Sequence, residues 1–124
     1  MQKEGDNEYL ALDKKLALLD RDAGLPRAIT EACLGQEVVA ASAATFIWVA
    51  VVKRMTWRYG QRGYRYLYLD AGHVCQNLYL AAEAIGCGVC AIAAFDDDAL
   101  NRILKLDGET QFAVYLASLG RKLG

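Results

Sequence analysis

Several things are scarce in this 124-residue chain. It has one proline, one histidine and no surplus charge, with 14 basic against 15 acidic residues and a net charge of −1. A chain that lives on a phosphate backbone or an anionic membrane is normally basic, so neither nucleic acid nor a membrane is the expected partner. A long apolar run is missing as well. The richest stretch, Val38 to Val52, is broken by Ser42 and Thr45 and bounded by Glu37 and Lys53. It falls short of the ~20 residues that a membrane helix needs. Met1 to Glu8 is polar and acidic, with no apolar signal-peptide core. The expected compartment is the cytoplasm, where Cys33, Cys75, Cys87 and Cys90 would be reduced thiols.

What is abundant is apolar surface. Hydrophobic residues make up 55% of the chain, above the ~45–50% usual for globular proteins. That composition excludes a disordered chain. In one small domain, residues 1–124, the surplus predicts a face buried against another subunit.

The first eight residues read as a frayed polar end. Leu10, Leu12, Leu16, Leu18 and Leu19 predict a short, loosely amphipathic helix. Pro26 opens a second helix that runs to Leu34. Thr45 to Val52, β-branched and aromatic, predicts a strand covered on both faces. Lys53 to Gly63 reads as a basic, aromatic connector. From Tyr64 to Ile85, Leu67, Ala71, Val74, Leu78, Ala81 and Ile85 recur at three- and four-residue spacing, the mark of a helix. It is apolar on most sides, which predicts burial on most sides, and Gly86 suits its left-handed cap. Val89 to Ala94 follows as a strand, Ala99 to Leu104 as a short helix capped by the Asp96–Asp98 run, and Phe112 to Ser118 as a last strand. The expected architecture is α+β, in α/β layers.

The residues alone specify little chemistry. Cys87-Gly-Val-Cys90 could be a redox or metal pair, but it enters a strand and does not open a helix, and no second pair completes a zinc site. Structural thiols are the better reading. His73, alone in the long helix, is more simply structural than a general base. The five basic residues of Lys53–Arg65, interleaved with Trp57, Tyr59 and Tyr64, could stack and bind phosphate, or form a solvated loop. No metal site and no phosphate-loop or dinucleotide fingerprint is present.

Trp57-Arg-Tyr-Gly-Gln-Arg-Gly-Tyr-Arg-Tyr-Leu-Tyr-Leu-Asp-Ala-Gly-His-Val-Cys-Gln-Asn-Leu-Tyr-Leu-Ala-Ala-Glu-Ala-Ile-Gly86, continuing as Cys-Gly-Val-Cys-Ala-Ile-Ala-Ala-Phe-Asp-Asp-Asp, resembles the C-terminal half of the nitroreductase family. Within it, the stretch is most similar to the dehydrogenases related to azoline oxidases. The resemblance runs from about Leu34 to Lys122. It implies a homodimer joined through the central helix, residues 64–85. It implies FMN at the interface, NAD(P)H or a substrate as hydride donor, and a small-molecule substrate.

The resemblance also implies site residues. Ala91, Ile92, Ala93 and Ala94 match the segment whose backbone amides pass the flavin ring at N5 and O4. Arg121 and Lys122 match the basic residues at the FMN phosphate. A phosphate dianion needs several charge-assisted hydrogen bonds, which the connector arginines Arg58, Arg62 and Arg65 could add, from one subunit or both. Arg58 and Tyr59 match a catalytic Lys-Tyr pair, but an arginine holds its proton, so Arg58 would stabilise charge and not act as a base. The family's N-terminal Arg-x-Ser-x-Arg element has no counterpart before Leu34, so the chain is expected to be a minimal, truncated member. Three functions follow: an FMN-dependent oxidoreductase, a non-catalytic flavin- or ligand-binding or dimerisation module on the same scaffold, or an inactive relic or half of a two-chain enzyme.

Overall fold

The computed structural model describes residues 6–10, 15–20 and 22–122, with side chains from residue 22 onward. Its centre is the last strand of the chain. β5, Gln111–Arg121, lies between β3, Ala44–Val51, and β4, Cys87–Ile92, and both neighbours run antiparallel to it. Side chains alternate along a strand, so β5 feeds two layers. Leu116, in register with Ile47 and Ile92, faces one layer; Tyr115, in register with Trp48, faces the other.

On the Leu116 side pack α1, Leu25–Ala32, α2, Glu37–Ala41, and α5, Asp97–Ile103. Ala32, Cys33, Val39, Ile92, Leu100, Ala113 and Leu116 form the core there. Ala113 joins Leu116 on that face because the ladder slips between Trp48 and Val49: their partners are Tyr115 and Ala113, which leaves Val114 as the extra residue of a bulge. The Ala113 amide is then taken by the buried side-chain oxygen of Asn101 on α5, at 2.8 Å. On the Tyr115 side lies α4, Gly63–Ala84, preceded by α3, Lys53–Tyr59, and a 3-10 turn over Gly60–Arg62. Gly63 lets α3 and α4 meet, since a Cβ there would stand 3.1 Å from the Met55 backbone. Gly86, at φ +74°, turns α4 into β4 as the capping pattern predicts.

The mixed α+β reading, with a small sheet and one long helix, is what the structure contains. Four local expectations are corrected. The expected Leu10–Leu19 helix is a hairpin of β1, Asp6–Leu10, and β2, Lys15–Asp20, which form their own antiparallel sheet. Leu16 and Leu18 of β2 stand two apart, the strand period, and local helix propensity does not override it. The frayed end expected over 1–8 is strand from Asp6 onward, and residues 1–5 lie outside the described residues. The connector is helical, because neither glycine nor proline interrupts Lys53–Tyr59. α4 is not buried on most sides: only Gly63, Cys75 and Ala82 are buried, while Tyr68, Leu69, Leu80 and Ile85 are exposed. Its apolar surplus is therefore uncovered in the single chain. Among the described residues no helix is long and apolar enough to cross a membrane.

The α5–β5 turn is organised by Asp107. Its carboxylate accepts the backbone amides of Glu109, Thr110 and Gln111 and the Thr110 hydroxyl. The Thr110 hydroxyl, then these amides, hold its pKa far below the usual carboxylate value. A depressed folded-state pKa adds stability above the unfolded value, ~3.9, and loses it as pH falls toward the folded one. Asp107→Ala should therefore lower Tm at neutral pH. The gap from wild type should shrink steadily below about pH 4 in melts followed by circular dichroism.

Candidate functional site

The end of β4 carries the most specific local geometry. Past Ile92 the chain leaves the ladder, and small side chains at Ala93 and Ala94 leave the backbone exposed. The segment is nonetheless pinned. Gln36 Nε2 donates to both the Cys33 and Ala94 carbonyls at 2.9 Å, and the Asp96 amide donates to the Ala32 carbonyl at 2.8 Å. Asp96 then caps α5 by accepting the Ala99 amide at 3.0 Å, as its position predicts. The amides of Ala93 and Ala94 have no acceptor among the described residues. Two donors are thus held still and left open, an arrangement suited to a flat ligand with adjacent acceptor atoms.

Ala91 differs. Its amide donates to the Tyr79 hydroxyl of α4 at 2.9 Å and is therefore occupied. Ile92 is buried in the core, and its side chain faces away from any surface ligand.

The basic cluster lies at the same end of the sheet. β3 and β4 both run antiparallel to β5, so they run parallel to each other, and α3 leaves β3 beyond the Val51–Gln111 pair. The Arg58 guanidinium lies 5.4 Å from the centre of the Tyr59 ring. Tyr59 meets Tyr66 edge-on at 4.8 Å, and the Tyr66 hydroxyl accepts from Arg62 Nε at 3.3 Å. Arg58, Tyr59, Arg62 and Tyr66 thus form one array. Arg65 is exposed on the first turns of α4. Among the described residues neither Lys53, Arg54, Arg58, Arg62 nor Arg65 forms a salt bridge. Between Val38 and Leu69 there is no acidic residue at all.

Arg121 and Lys122 are elsewhere. Arg121 pairs with Cys87, at the opposite end of β4 from Ile92, a span of ~17 Å at ~3.3 Å per residue. Lys122 is also ion-paired to Glu83 of α4. Sequence reasoning grouped these two cations with Arg62 and Arg65; within one chain the fold separates the two sets. It also passed over Tyr66, Tyr79, Gln36 and Glu83. Tyr66 is four residues beyond Arg62, a legible helical pairing. The partners of the other three lie across the fold and leave no local signal.

The thiols are scattered. Cys87 and Cys90 are three residues apart on one strand, so they face opposite sides, with Cα atoms ~10 Å apart, too far to bridge. Burial pushes the Cys33 thiol up; burial also raises Cys75, against a lowering by its hydrogen bond with Tyr115. No group of three or more His, Cys, Asp or Glu side chains converges among the described residues. His73 is exposed on α4. In the native protein an aromatic disulfide reagent should titrate Cys90 fastest and Cys87 next, with Cys33 and Cys75 reacting only on unfolding. Mild oxidation should leave Cys87 and Cys90 unbridged by mass spectrometry.

The nitroreductase family model matches residues 2–121. A protein of Methanocaldococcus jannaschii, described as a nitroreductase, is 36% identical over 122 residues. The match covers 98% of this chain and 59% of the relative, so the chain spans little more than half of that protein's length. Among solved structures, one from Anabaena variabilis assigned as a nitroreductase superposes with TM-score 0.86 at 33% identity, covering 98% of this chain and 25% of that one. The NADPH:FMN oxidoreductase of Vibrio harveyi, solved with NAD+, has TM-score 0.70 at 19% identity, covering 83% of this chain and 48% of its own, and shows likeness of fold alone. The same holds for the E. coli microcin synthetase McbBCD complex, with TM-score 0.76 at 20% identity over 95% of this chain and 44% of that one.

Proposed function

The chain belongs to the nitroreductase family, and from that premise we propose that it is an FMN-dependent oxidoreductase taking hydride from NAD(P)H or from its substrate. The observation that carries the reading is the pair of free, pinned amides at Ala93 and Ala94, beside small side chains and at the same end of the sheet as an unpaired cationic array. Bound there, FMN would supply a reversible two-electron hydride acceptor. Everything else falls to this chain's own groups. The Ala93 and Ala94 amides would hold the ring edge at N5 and O4, where a fixed donor favours the charge that develops on reduction. Ala91 and Ile92 would support that edge from within the strand. Arg62 and Arg65, exposed and without a salt bridge among the described residues, would serve the phosphate. Arg121 and Lys122 would serve a phosphate only at the far end of the sheet, and Lys122 must first leave Glu83. Arg58, held over Tyr59, would stabilise negative charge on a small-molecule substrate, since its guanidinium does not give up a proton.

A homodimer through α4 belongs to the same proposal. Leu69 and Leu80 lie about three turns apart on one stripe of the helix, and both are more than half exposed. Covering such side chains yields about 1.5–3 kcal/mol apiece. The cytoplasm, with its reduced thiols, remains the proposed compartment.

The test is the visible spectrum of the protein with FMN, followed by anaerobic NADH or NADPH. Saturable binding with bleaching supports the oxidoreductase. Binding without bleaching by either nucleotide or by a substrate would leave the flavin-binding module, and no saturable binding would overturn both. Replacing Arg62 and Arg65 together by alanine should weaken FMN about tenfold or more, as expected for lost charge-assisted bonds, and barely change riboflavin. Equal losses would remove the phosphate assignment. Leu80→Asp should weaken the dimer at least ~30-fold, a loss of about 2 kcal/mol, read by light scattering as monomer; an unchanged dimer would place the seam elsewhere.

A further inference from the structure

We infer that Tyr79 is a positioning residue that sets the register of a planar ligand on the β4 edge, by closing the Ala91 amide and leaving those of Ala93 and Ala94 open. The inference rests on the flavin reading above and adds to it which donors the ring can use, and why.

β4 is an edge strand, with β5 on one side only. Alternate amides of such a strand point outward, away from the ladder. The Ala91 amide is one of these, because it donates to Tyr79 on α4 and not to β5. The Ala93 amide, just past the end of the ladder, has no acceptor among the described residues. An uncapped edge would therefore offer open donors at both Ala91 and Ala93, two residues apart. A flat ligand could settle at either, displaced by ~6.6 Å. Tyr79 removes that choice.

The tyrosine is itself held in place. Cys75, Tyr79 and Ala82 share one stripe of α4 at four- and three-residue spacing, and Cys75 and Ala82 are buried. Tyr115, from the middle of β5, hydrogen-bonds Cys75 on that stripe. Burial first, then Cys75 and Tyr79, push the Tyr115 phenol up, so it stays neutral and protonated across the physiological range. The Tyr79 hydroxyl thus approaches the strand from a packed helix face, with its ring partly exposed. A phenylalanine would fill the same space and release the Ala91 amide, which isolates the hydroxyl from the packing.

Amide exchange by NMR tests the lock in the wild-type chain. Ala91 should exchange at least tenfold more slowly than Ala93 and Ala94, and added FMN should protect Ala93 and Ala94 while leaving Ala91 unchanged. In Tyr79→Phe, Ala91 should lose its protection. The preference of the site for reduced over oxidised FMN should fall about tenfold, which is ~30 mV downward in the two-electron midpoint potential. Ala91 exchanging as fast as Ala93 in the wild type overturns the inference, whether or not the variant folds. So does a folded Tyr79→Phe protein whose bound flavin keeps the wild-type potential. Failure of FMN to bind the wild type, with Ala91 still protected, overturns the flavin reading and with it the role of the lock, and is distinguishable from both.

Discussion

The antiparallel pairing of β5 on both of its sides is the constraint from which the other placements follow. A middle strand has no free ladder, so its only freedom lies in what its two faces carry. Leu116 and Ala117, adjacent and both wholly buried, send one side chain to each layer. Ser118 is buried too, and its hydroxyl is spent on Thr45 of β3 at 3.0 Å, which continues to Ser42 and the Val39 carbonyl. That relay ties α2 to the sheet without leaving a buried oxygen unpaired. The bulge at Val114 then turns Ala113 toward the core, where Asn101 receives its amide. The layer of α1, α2 and α5 is thus bound to β5 by polar contacts as well as by apolar packing.

The candidate site arises where this order stops. β4 ends opposite Leu116, while β5 is accompanied by β3 as far as Gln111. Beyond Ile92 the chain loses its ladder partner but not its position, because Gln36 and the Ala32 carbonyl hold it from the α1–α2 side. Held donors cost no reorganisation when a ligand arrives, and that is the property a flavin-binding edge requires. Tyr79 acts from the opposite layer. The same short strand end is therefore controlled from both faces of the sheet.

How much of this was legible in the residues depends on the range of each contact. The long helix, the three strands of the main sheet, the Asp96 cap and the Gly86 turn were legible, because periodicity and capping act within a few residues. The resemblance to nitroreductases rested on the same contiguous stretch. The hairpin was misread because alternating leucines lay among charges that also suit a helix. The burial of α4 was misread for another reason: an apolar helix face shows that something must cover it, not that the same chain does. The candidate site was legible only in part. The alanines at 93 and 94 leave the backbone open to close approach, but the occupied state of the Ala91 amide is set by a tyrosine from another layer. Arg121 and Lys122 were placed by the family resemblance and Arg62 and Arg65 were added by charge, and charge carries no information about which end of a sheet a residue reaches.

That separation bears on how a site of this kind could be assembled. Neither set of cations adjoins Ala93 and Ala94 within one chain. Arg121 lies ~17 Å away along β4, and Arg65 lies fourteen residues, ~21 Å, along α4 from Tyr79, whose hydroxyl meets Ala91. The phosphate of a ring docked there would have to span to one of these sets or meet cations of a second copy, whose α4 would lie against the uncovered stripe that includes Leu69 and Leu80. The Lys122–Glu83 ion pair also joins the end of β5 to the last turns of α4, so the C-terminal cations would move with the helix that carries that stripe. Exposed ion pairs contribute little to stability. Breaking this one to serve a phosphate would therefore cost little, whereas moving Ala93 and Ala94 would break the Gln36 and Asp96 contacts that hold them. In such an assembly the ring edge is the fixed reference, and the cations are the part free to adjust.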